Sequence, residues 1–63
     1  MAKEVESIIT TPDKDYPDNY GHVTVVVHDT ETGERQTASQ EYDHFKSQGD
    51  AEAEAIKAAC DKF

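Results

Sequence analysis

The chain has 63 residues, 14 of them acidic and six basic, for a net charge of −8 with histidines neutral. That length holds one domain, residues 1–63, and excludes a two-domain enzyme or a dinucleotide-binding fold. Leu and Trp are absent and Val, Ile and Phe make only ten residues, below the roughly 20% at which high charge points to disorder. The apolar residues are grouped, however, so the reading is a folded domain with a thin core.

The first element runs from Lys3 to Thr11. Val5, Ile8, Ile9, Thr10 and Thr11 are β-branched and favour extended backbone. Ala2, Val5 and Ile9 also fit one helical face, and Pro12 ends either option. Asp13–Gly21 reads as a loop, because Asp, Asn, Pro and Gly each form turns for their own reason. It also carries Tyr16 and Tyr20.

His22–Asp29 is the clearest strand. Val23, Val25 and Val27 share one face, and Thr24, Val26 and His28 the other. Val26 breaks an otherwise polar face, which points to a central strand or to an outer face that something covers. Thr30–Gly33 reads as a hairpin turn with Gly33 supplying positive φ. Glu34–Tyr42 then returns antiparallel, polar on both sides, as an edge strand.

Asp43–Gly49 links to a helix over Asp50–Phe63 that is rich in alanine, the best helix former. Ser47 to Asp50 has the spacing of a capping box, with Asp50 itself as the alternative N-cap. Ile56, Ala59, Cys60 and Phe63 form an apolar stripe at i, i+3, i+4, i+7. The expected fold is α+β: a three-stranded antiparallel sheet in β-β-β-α order, with the C-terminal helix packed on one face. Its core would take Val23, Val25, Val27, Tyr42, Ile56, Ala59 and Phe63, joined by Val5 and Ile9, with Phe45 closing the strand–helix junction.

Chemistry is sparse. His22 and His28 share a strand face but would lie roughly 20 Å apart, and no zinc spacing is present. Counted from Asp13, the loop fails the calcium-loop pattern at Pro17, Asp18 and Thr24. Cys60 is the only cysteine and sits late in the helix, where the dipole works against a thiolate. No cofactor, metal site or catalytic residue is expected. A hairpin followed by a helix is also the arrangement in the second half of a double-stranded-RNA-binding domain. The lysines such domains carry at the helix start are here Asp50, Glu52 and Glu54, so direct nucleic-acid binding is not expected.

The expected function is therefore a small acidic, non-enzymatic protein-interaction module that meets a partner with a basic surface. The candidate surface is Asp13, Asp15 and Asp18 with Asp50, Glu52 and Glu54. The alternative is a nucleic-acid-associated auxiliary domain, or a nucleic-acid mimic that occupies a partner's basic groove. A weak homodimer would form through Val26 on the open sheet face or through the polar edge strand. No apolar run nears the roughly 20 residues of a membrane span, the start lacks the apolar stretch of a secretory signal, and the lone Cys suits a reducing compartment. A cytoplasmic protein is expected, and a short, acidic, leucine-free chain fits a phage or accessory-gene product.

Overall fold

The computed structural model describes residues 2–63. Three strands, β1 (Lys3–Pro12), β2 (Gly21–Asp29) and β3 (Arg35–Tyr42), precede a single helix, α1 (Gln48–Asp61). The strands form one antiparallel sheet in the order β1-β2-β3, and α1 packs on one face of it. This is the expected α+β architecture with the valine strand at its centre. Among the described residues no helix is long and apolar enough to cross a membrane.

The sequence dictates each junction. Thr30–Gly33 closes the β2–β3 hairpin: Gly33 donates its N–H to the Asp29 carbonyl at 2.8 Å and adopts φ +78°, which only glycine takes without strain. Buried Asp29 accepts the Glu31 N–H on Oδ1, so its carboxylate stabilises the same turn. Ser47 caps α1, accepting the Asp50 N–H on Oγ at 3.1 Å. Asp50 is therefore the third residue inside the helix, and not the alternative cap.

The core is built from small side chains. Val23, Val25 and Val27 of β2 are at most 1% exposed, and Ala51, Ala55 and Ala59 of α1 are fully buried against the sheet. Ala38 and Tyr42 of β3 complete the cluster. The expected helical stripe is thus rotated by about one residue. The line at the centre of the contact is Ala51–Ala55–Ala59, while Ile56, Cys60 and Phe63 pack half-buried along the flank. Alanine methyls let the helix axis approach the sheet closely, and a line of large residues would hold it off. Two anchors fix that rotation: Gln48 donates to Thr10 Oγ1 on β1 at 3.0 Å, and Lys62 donates to the Thr37 carbonyl on β3.

Three core expectations are corrected. Val5 is 42% exposed, Ile9 56% and Phe45 97%. The β1 cases have two causes. The helix lies over β2 and β3 and barely reaches β1, so the helix side of β1 is only half covered. A β-bulge between Val5 and Ser7 then shifts the pleat, pairing Val5 with Val27 but Ile8 with Val25 and Ile9 with Thr24. Residues opposed across an antiparallel pair share a face. The bulge therefore turns Ile8 toward the helix and Ile9 onto the outer face. The molecule measures 40 × 18 × 13 Å with a radius of gyration of 12.5 Å, against about 11 Å for a compact chain of this length. It is a long plate with one face open.

Where β1 and β2 begin to part, Tyr42 lies over Gly21. A Cβ on Gly21 would run into Tyr42 Oη and would stand 2.6 Å from the Thr11 carbonyl oxygen. Gly21→Ala is expected to cost about 1–3 kcal/mol by overpacking, read as a lower urea midpoint with the slope unchanged. An unaltered midpoint would mean that Tyr42 does not cover this glycine.

Candidate interaction surface

The topology gathers one set of side chains at one end of the plate. β1 finishes at Pro12, opposite Gly21 at the start of β2, which in turn pairs with Tyr42 at the end of β3. The helix also starts here, since Gln48 is bonded to Thr10. The loop Asp13–Tyr20, the linker Asp43–Ser47 and the first turn of α1 are therefore neighbours.

Both connections are clasped by an aspartate. Asp13 Oδ1 accepts the N–H groups of Asp15 and Tyr16 at 2.8 and 3.0 Å. Asp43 Oδ1 accepts those of Phe45 and Lys46 at 2.8 and 2.9 Å. Backbone bonds close each turn: Asp13 N–H to the Tyr20 carbonyl at 2.8 Å, and Asp43 N–H to the Lys46 carbonyl at 3.0 Å. Asp side chains readily bond backbone two residues on, which is why these polar segments have a defined shape.

Each clasp presents an aromatic ring. Tyr16 meets Tyr20 edge-on with centroids 5.9 Å apart, Tyr20 meets His44 at 5.7 Å, and His44 meets Phe45 at 6.2 Å. These spacings lie in the range of favourable ring pairs. The row is open to solvent: Tyr16 is 63% exposed and Phe45 97%. Beside it lies an open recess of about 1010 Å³, lined among others by Asp13, Tyr16, Tyr20, Tyr42, Asp43 and His44.

The acids expected as a contact surface fall at this end, in differing roles. Asp13 is the loop clasp. Glu54 pairs with Lys46 across the linker. Glu52 is half-buried on the flank of α1, one turn from Gln48 and so on the side facing β1. Asp15, Asp18 and Asp50 are exposed, and their carboxylates have no partner among the described residues. Val26 lies elsewhere, half-buried in mid-strand on the outer face between Ser7 and Thr37. Sequence reasoning missed Phe45 as a surface residue, and it did not join His44 to the tyrosines. The available signal was that Phe45 sits in a polar linker, D-H-F-K-S, with no apolar residue nearby to share its burial.

Rings rimmed by carboxylates suit a cation. Lysine ammonium and arginine guanidinium groups sit favourably over aromatic faces, and nearby carboxylates add charge-assisted hydrogen bonds. Cys60 is far from this end, in the last turn of the helix. Among the described residues no three of His, Cys, Asp and Glu converge as ligands for a metal ion. No protein-family model, curated protein or solved structure matches the chain.

Proposed function

We propose that this protein is a non-enzymatic interaction module that captures a basic segment of a partner protein at its loop end, in the cytoplasm. The observation that carries the reading is Phe45, 97% exposed and held outward by the Asp43 clasp at the end of a row of rings. Water-exposed phenylalanine on a hydrogen-bonded turn contributes nothing to the core. Aromatic anchors of this kind concentrate binding energy at interfaces. Asp15, Asp18 and Asp50 supply the charge that steers a basic partner toward the rings. The lone thiol of Cys60 suits a reducing compartment such as the cytoplasm.

The test is an amide-resolved NMR titration with a peptide of alternating lysine and aliphatic residues. Shifts are expected to cluster in residues 13–22 and 41–50 and to shrink as salt screens the acids. Phe45→Ala is expected to weaken binding by about tenfold or more while leaving the fold intact, because the ring is outside the core. Shifts elsewhere, or a Phe45→Ala variant that binds as tightly as the parent, would sink the proposal.

A further inference from the structure

Both outer strands of the sheet have a free edge, and the two edges are guarded differently. On β3, Lys62 donates to the carbonyl of Thr37 and Glu41 places a charge toward one end, while Arg35 reaches across β2 to pair with Glu6 of β1. Charges and bulges are the usual means of blocking an edge. On β1 the same devices occupy only the first half: Lys3, Glu4 and Glu6, with the bulge between Val5 and Ser7. The second half, Ser7-Ile8-Ile9-Thr10-Thr11, has no charge, no bulge and no proline. Ile8 is 42% exposed and Ile9 56%. It is a short unguarded strand segment in an acidic protein.

We propose that Ser7–Thr11 pairs antiparallel with the same segment of a second copy, about a two-fold axis at Ile9, joining the two sheets edge to edge. The occupant follows from the sequence of the segment and its pleat. With Ile9 opposite the partner's Ile9, Ile8 falls opposite the partner's Thr10 and Ser7 opposite the partner's Thr11. The register of β1 on β2 puts Ile8 and Thr10 on the helix side, with Val25 and Val23. It puts Ser7, Ile9 and Thr11 on the outer side, with Val26, Thr24 and His22. Every cross-copy pair is thus matched in face. The three central pairs, Ile8–Thr10, Ile9–Ile9 and Thr10–Ile8, are β-branched on both strands, the combination that packs best across a sheet, and a Ser–Thr pair closes each end.

Charge points to the same register. The chain carries −8, and association of like molecules is opposed wherever acids meet. In this register no acid lies within the paired segment, and Glu6 falls opposite the partner's Pro12. Proline, lacking an N–H, marks the natural end of the ladder. The bulged half of each β1 lies outside the pairing and diverges from it. Both helices end on one face of the joined sheet, so the interface is isologous and closed.

Two measurements decide the proposal. Sedimentation equilibrium of the wild-type chain up to about 1 mM, where even a weak pairing populates the complex, is expected to show a monomer–dimer equilibrium and nothing larger. Ile9→Lys is expected to remain monomeric over that range with an unchanged far-UV spectrum, since Ile9 is outside the core. Ile9→Cys in a Cys60→Ala background is expected to form a disulfide-linked dimer under oxidised glutathione. Directly opposed antiparallel residues have Cα atoms about 4.5–5.5 Å apart, within the span a disulfide bridges. Val26→Cys in the same background is expected to stay uncrosslinked. A wild-type chain that stays monomeric, a dimer that survives Ile9→Lys, crosslinking through Val26, or assembly beyond the dimer would each overturn it.

Discussion

Val25→Asp is expected to leave the chain unfolded at room temperature, whereas Val26→Asp, one residue further along the same strand, is expected to fold. The contrast follows from the pleat. Val25 is fully buried on the helix side of β2, within the cluster that holds Ala38, Ala51 and Ala55. A carboxylate there would be stripped of water, and the cluster's one side-chain polar atom, Tyr42 Oη, lies at Gly21, four residues away along the strand. Even if it took up a proton, the unpaired carboxyl would cost roughly 2–7 kcal/mol, and the lost valine burial about 1.5–3 kcal/mol more. A chain of this length has about 3–9 kcal/mol of stability in all. Val26 faces the open side between the hydroxyls of Ser7 and Thr37, with water in reach, so its aspartate costs about 1 kcal/mol of strand preference. Far-UV circular dichroism with thermal melts reads both variants. Two folded proteins, or two unfolded ones, would contradict the assignment of a covered and an open face.

The same pleat explains how much of the molecule was legible in its sequence. Val23, Val25 and Val27 alternate in His22–Asp29, so the buried valines and the hairpin at Gly33 follow from periodicity and turn chemistry. Val26 breaks the other face and leaves a central strand and a covered outer face as alternatives, which the pairing with both β1 and β3 decides. Neither the bulge in β1 nor the rotation of α1 follows from periodicity. A bulge is one extra residue in one strand of a pair, and nothing in K-E-V-E-S-I-I marks where it falls. Its effect is to exchange Ile8 for Ile9, a choice that alternation alone makes the other way. The helix carries two apolar stripes, one of large residues and one of alanines. Hydrophobicity favours the first, and close packing on three valines favours the second. At the loop end the acids were conspicuous, but the aromatic row was hidden because its members come from two loops far apart in sequence. Only the antiparallel pairing of Gly21 with Tyr42 brings Tyr20 beside His44.

The close approach of helix and sheet yields the sharpest test of the packing. Ala55→Leu is expected to destabilise the protein by about 2–3 kcal/mol or more, although leucine is nearly as good a helix former as alanine and far more hydrophobic. Ala55 sits at the middle of the Ala51–Ala55–Ala59 line, with no exposed surface. Three added carbons would have to displace the valines or lift the helix off the sheet. Lifting it would also pull Lys62 from the Thr37 carbonyl and Gln48 from Thr10. In a domain of this size each 1 kcal/mol lowers the melting midpoint by about 4–8 °C, so a fall of at least about 8 °C is expected. Ala53→Leu is the matched control: the same substitution on the same helix, at an exposed position. Its helix propensity changes equally and its packing hardly at all, so its midpoint should stay within a few degrees of the parent. If instead Ala55→Leu raised the midpoint, the large residues Ile56 and Phe63 would have to face the sheet, as simple hydrophobic periodicity predicts. Only the alanine-lined contact makes leucine at position 55 harmful and leucine at position 53 neutral.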